Sequence, residues 1–336
     1  MLLPKTDLPL AGKAYLHSTG ANYAAPHPNV IDLQQATIML SRTKTSPVSN
    51  TPSGAFYTPT QPSPLDHGLY TLQNLNVCPW YNGSMPHLNL SPEMLKCIDI
   101  ANQHGIIYQP NPMGIYAPNG LKQFISQFQD SLLTRSISQS QKEWNEAFKS
   151  TAVSFDVTFK QLPKDVLGFE MSNFKLVTTS DQLGSPQLDR AISAATHGII
   201  NTIDPNRLLT IFLKTEVNFY QQVKLRFIIL LKRDYIDDPT VLSDFSLFEK
   251  LKLGIQQSSF YTINYEPVLL NGYLNNGLFH KNSATFKDQL KQLKVYLVGT
   301  DALFRVAGNK PTFEILYEKY KKTTTKGVRS NGLVTA

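Results

Sequence analysis

The stretch LTIFLKTEVNFYQQVKLRFIILLK, Leu209–Lys232, decides the fold class. Every odd position in it is apolar except Thr215 and Gln221, and the charged residues Lys214, Glu216, Lys224, Arg226 and Lys232 are all even. Alternation of this kind places successive side chains on opposite faces, which is the period of a strand and not of a helix. The run is several times longer than an ordinary strand, so the chain must fold back or bend within it. A two-residue turn would put opposite parities on one face. An odd-length connection, for example Lys214-Thr215-Glu216, keeps the odd positions together and is therefore expected.

Working outward, Val166 to Thr178 reads as a strand before this hairpin. Ser185-Pro186 opens a helix whose Leu188, Ala191, Ile192, Ala195 and Ile199 face inward, with Gly198 near its end. Further back, Val153, Phe155, Val157 and Phe159 alternate with Ser154, Asp156 and Thr158, which predicts another half-buried strand. After Asp237-Asp238-Pro239 the reading gives a helix over Asp244 to Leu253 and a strand around Tyr261, Ile263 and Tyr265. Asn271-Gly272 and Asn276-Gly277 mark turns, a helix over Thr285 to Leu293 leads into a strand at Val295 to Val298, and Pro311 opens a last helix. The order strand, helix, strand, strand, helix, strand over about 166–268 permits a ferredoxin-like unit. The aromatic signature of RNA-recognition domains is missing from it.

Upstream, Ser91 and Pro92 start a helix carrying Met94, Leu95, Ile98 and Ala101 and stopping at Gly105. Leu121, Phe124, Ile125, Phe128 and Leu132 repeat at helical spacing, and Trp144 and Phe148 close a further turn or two. Residues 1–90 are crowded with Pro, Ser, Thr and Asn. Pro26, Pro28, Pro47, Pro52, Pro59, Pro62 and Pro64 restrict φ and remove backbone donors, so an extended arm is expected there, with Tyr15, Tyr23, Phe56, Tyr57, Tyr70, Trp80 and Tyr81 offering burial area. The fold class is thus α+β: an antiparallel or mixed sheet core with several short helices, preceded by a long extended Pro/Ser/Thr-rich arm. The divisions are 1–90 arm, 91–150 helical segment, 151–306 core, and 307–336 C-terminal helix and basic tail.

Composition bounds function. Charged residues make up only 17% of the chain, and uncharged polar residues take their place, a surface suited to contacts with other macromolecules. The formal net charge of +7 permits an anionic partner without requiring one. Cys78 and Cys97 lack both a disulfide framework and zinc spacing, and Pro4, Lys5 and Asp7 interrupt any secretory apolar run near Met1. A non-secreted protein of cytoplasm, nucleus or virion is expected, without a transmembrane segment.

Searches for chemistry are unproductive. There is no phosphate-binding glycine loop, nucleophile elbow or zinc helix, and the seven histidines have no ligand spacing, so no cofactor is expected. Asp234, Asp237 and Asp238 form one acidic cluster, which reads either as a Mg²⁺ site of a nuclease or nucleotidyl-transfer enzyme or as a turn before Pro239. Lys214, Tyr220, Lys224, Arg226 and Lys232 share the even face. If that face is open, they resemble a surface for single-stranded nucleic acid, extended by Lys319, Lys321, Lys322, Lys326 and Arg329 of the tail. If helices cover it, the cations become internal partners for acids such as Glu216 or Asp244. The expectation is a non-enzymatic structural subunit of a large assembly, such as a viral capsid or virion shell, meeting copies of itself or other subunits through the arm.

Overall fold

The computed structural model describes residues 30–42, 56–57, 64–75, 88–106, 115–116, 123, 125–127, 129–130, 138–176, 186–217, 222–232, 263–265, 278–306 and 310–319. The chain divides into two compact units, one of Met1–Lys149 with Gly299–Lys310 and one of Ser150–Val298 with Pro311–Ala336. It is a mixed α+β protein whose described sheets are antiparallel. Among the described residues no helix is long and apolar enough to cross a membrane.

In the first unit, helices α1 (Val30–Arg42) and α2 (Pro64–Gln73) lie within the segment expected to be an extended arm. The proline argument fails locally for a simple reason. Asn29 to Ser46 contains no proline, and Pro64 sits at the first position of α2, where its missing N–H costs nothing. Leu33, Leu40, Leu69 and Leu72 are fully buried. Gly68 keeps the two helices close: a Cβ there would lie 3.3 Å from Leu40 Cγ. The rest of the expected arm apart from the short strands below lies outside the described residues.

The two-residue strands β1 (Phe56–Tyr57) and β3 (Ile115–Tyr116) pair with each other, and β2 (Leu88–Leu90) pairs with β9 (Phe304–Val306). Helix α3 (Pro92–Gln103) begins and ends as the punctuation predicts, with Gly105 at φ +63° just past its C-terminus. Leu95, expected on the inner face, is exposed. The N-cap differs in detail, since Ser91 makes no side-chain cap; its backbone N–H donates to Leu303 O at 2.8 Å. Residues described between 123 and 130 are helical.

Helix α4 (Gln139–Gln161) overturns the strand expected at 153–159 and extends far beyond the turn expected at Trp144. Phe155 and Phe159 are buried one turn apart, whereas Val153 and Val157 are 60% and 44% exposed. Four alternating apolar residues fit period 2, but only one i, i+4 pair of them faces the core.

The second unit is built on a six-stranded sheet of β4 (Asp165–Leu176), β5 (Leu208–Val217), β6 (Gln222–Lys232), β7 (Ile263–Tyr265), β8 (Leu278–His280) and β10 (Phe313–Glu318), in the order β10-β5-β6-β4-β7, with β8 also on β4. Helix α5 (Pro186–Thr202) joins β4 to β5, and Gly198 does not interrupt it. Because β6 runs antiparallel to both β4 and β5, those two strands are parallel with β6 between them. The order β5-β6-β4-β7 is that of a split βαβ unit, with β10 added on the free edge of β5. The expected second helix, Asp244 to Leu253, and the turns at 271–272 and 276–277 lie outside the described residues.

The hairpin keeps the expected register parity. Val217 pairs with Val223 and Lys214 with Arg226, so odd faces odd and even faces even. Its connection falls beyond Val217, later than Lys214-Thr215-Glu216. Two further expectations are corrected. Helix α6 (Phe286–Leu297) runs through the strand expected at Val295–Val298, because Phe286, Leu293 and Leu297 continue one helical face. The chain after Pro311 forms β10 and not a helix, because the edge of β5 accepts it: Thr215 N donates to Thr312 O at 2.8 Å and Lys319 N to Leu209 O at 3.0 Å.

Candidate functional site

The even positions of the hairpin are the natural place to begin, since the sequence concentrates its cations there. Phe212 occupies the middle of this face on β5. Its ring lies 5.7 Å from Phe159, 6.4 Å from Phe155 and 5.3 Å from Phe313. Thus α4 and β10 roof this part of the face with aromatic side chains.

Two residues along, the same face turns polar. Lys214, Glu216 and Arg226 are 2%, 1% and 2% exposed, and Lys224 is also buried. The face expected to be outward is therefore interior, and the physical reason is the helical cover. Lys214 Nζ donates to Leu297 O, at the C-terminus of α6, at 2.7 Å, and hydrogen-bonds Thr312 Oγ1. A cation at that end of a helix meets the negative pole of its dipole and an orphan carbonyl. Arg226 Nη2 lies 3.2 Å from Glu216 Oε2 across the hairpin. Covered cations turn inward to acids, and Glu216 is one of the two acids expected for that case. Glu216 Oε1 has no hydrogen-bond partner among the described residues.

The remaining candidates are dispersed. Lys232 is half-buried at the end of β6. Lys319 is exposed at the end of β10, where Nζ donates to Pro205 O at 2.9 Å and Asn206 O at 3.0 Å. Tyr220, Lys321, Lys322, Lys326, Arg329, Asp234, Asp237 and Asp238 lie outside the described residues, as does Cys78. Among the described residues no group of three or more His, Cys, Asp or Glu could hold a metal ion.

Lysine use in this unit follows one pattern. Lys281 Nζ donates to Lys160 O at 3.1 Å and to Leu162 O, at the end of α4, and burial pushes its ammonium below the ordinary lysine value. Lys214, Lys281 and Lys319 all serve main-chain carbonyls near the ends of helices α6, α4 and α5 respectively. Such lysines are structural donors.

Two features of the first unit escaped the sequence reading. Cys97 is buried and its thiol is pushed up to about 12, chiefly by desolvation and against a lowering hydrogen bond from Thr37, so it is held as an inert thiol. Arg305 is fully buried, with Cζ 4.0 Å from the centre of the Trp144 ring, and its Nη2 donates to Trp144 O at 2.8 Å. Burial lowers the Arg305 pKa, and Asp301 partly restores it. The signal was present in the sequence: an arginine inside Ala302-Leu303-Phe304-Arg305-Val306 must be buried with partners or break the apolar run.

No family model, curated protein or solved structure matches this chain.

Proposed function

We propose that this protein is a non-enzymatic structural subunit of a large macromolecular assembly, of the capsid or virion-shell type. The observation that carries this reading is an inverted distribution in the second unit. Lys214, Glu216 and Arg226 are spent inside, as donors and ion-pair partners of the fold, while Val153 and Val157 stand one turn apart on the outside of α4. Charge turned inward and apolar surface turned outward suit a subunit whose faces are covered by neighbours. The low charged content and the aromatic, proline-rich first ninety residues support the same reading, with that segment as the element that reaches copies of the chain or other subunits.

A nucleic-acid-binding module is the competing reading. It loses support from the engagement of Lys214 and Arg226, because phosphate contact would require both to leave buried partners. Sedimentation of the full chain across a wide concentration range tests the proposal. Concentration-dependent growth to defined oligomers or shells is the expected result. A stable monomer throughout, whose first ninety residues are cleaved readily by protease, would overturn it.

A further inference from the structure

The start of α4 holds an arrangement that the assembly reading does not use. Gln141 and Trp144 are three residues apart, so their side chains leave the same face of the helix. Both are more than nine-tenths buried. Yet the Gln141 Nε2 amide and the Trp144 Nε1 indole have no hydrogen-bond partner among the described residues. Each is a donor, and each burial without an acceptor costs about 1–3 kcal/mol. The Arg305 guanidinium lies over the Trp144 ring, so a third donor group, with a formal positive charge, stands at the same place.

We propose that Gln141, Trp144 and Arg305 form a binding site for a small oxyanion of the phosphate or carboxylate class. Donors without acceptors call for a ligand made of acceptors, and an oxyanion offers several lone pairs and no N–H. Charge balance agrees. Asp301 faces Arg305, but the desolvation of the guanidinium outweighs what Asp301 returns, so an added negative charge is favourable there. The helix start assists through its dipole only, because the Gln141 N–H is already held by Ser138 Oγ at 3.2 Å and the Lys142 N–H by Ser138 O at 3.0 Å. The side chains, and not the backbone amides, are the recognising groups.

The test uses the full chain and Trp144 emission, with Trp80→Phe removing the other of the two tryptophans. Inorganic phosphate and acetate are titrated separately at constant ionic strength, with chloride as the control. The expected result is a saturable change in emission with phosphate, acetate or both, the pattern identifying a phosphoryl or a carboxylate ligand. Gln141→Leu should weaken it by about tenfold, the loss of one hydrogen bond to a charged group. A response no different from chloride, or a Gln141→Leu variant that titrates like its parent, overturns the site. If Trp80→Phe does not fold, the thermal midpoint of the chain with both tryptophans replaces emission. It must rise with phosphate or acetate beyond the chloride control, and less so in Gln141→Leu.

Discussion

Phe212 and Lys214 are neighbours on one face of one strand, yet they are buried by opposite means. Around Phe212 the roof is apolar: Phe155, Phe159 and Phe313 close over it, and removal from water is itself the driving force. Around Lys214 nothing apolar can compensate a buried ammonium, so the fold supplies a helix-terminal carbonyl and a threonine hydroxyl, and Arg226 next to it is matched by Glu216. The aromatic end needs only volume. The charged end needs particular atoms at particular places, and it depends on where α6 ends and on how β10 arrives. The difference teaches that a basic face on a strand is no sign of a basic surface until its cover is known.

Four substitutions test this contrast, each read by chemical denaturation. Phe212→Ala should cost about 3–5 kcal/mol, the usual loss for a large aromatic in a core; a loss below 1 kcal/mol would show that the aromatic roof is not closed. Arg226→Met should cost a similar amount, about 3–5 kcal/mol, because it leaves the Glu216 carboxylate buried without its partner. The double variant Glu216→Met with Arg226→Met should recover most of that loss, which no purely apolar site would show. Lys214→Met keeps the stem and removes the donor; stranding Leu297 O should cost about 1–3 kcal/mol. Val153→Lys should change stability by less than about 0.5 kcal/mol, since the position is exposed. It should still reduce self-association in sedimentation, which separates a surface that binds from a surface that merely exists.

Much of the sheet was legible because its information is local. Strand alternation from Leu209 to Lys232 identifies the hairpin, and face-matching alone requires an odd-length connection, which the pairing of Val217 with Val223 satisfies. Helices α3 and α5 were legible for a similar reason, since Pro92 and Pro186 mark their starts. The failures share one cause. Val153-Ser-Phe-Asp-Val-Thr-Phe159 satisfies period 2 and also contains a helical pair, Phe155 with Phe159, and nothing within those seven residues chooses between them. Val295–Val298 and Phe313–Glu318 are ambiguous in the same way.

By itself, then, the sequence determined the parity of the central hairpin and its register, because side chains on a strand alternate whatever surrounds them. It also determined that Lys214, Glu216, Lys224 and Arg226 share a face. Tertiary structure alone decided that this face is interior. The residues that cover and satisfy it, Phe155, Phe159, Leu297 and Thr312, lie between 53 and 98 positions from their partners on β5, and no local pattern fixes which helix lands on which face. The same holds for β10: the residues after Pro311 become a strand because an unpaired edge of β5 is there to be bonded, and backbone donors and acceptors at a buried edge cannot be left unmet.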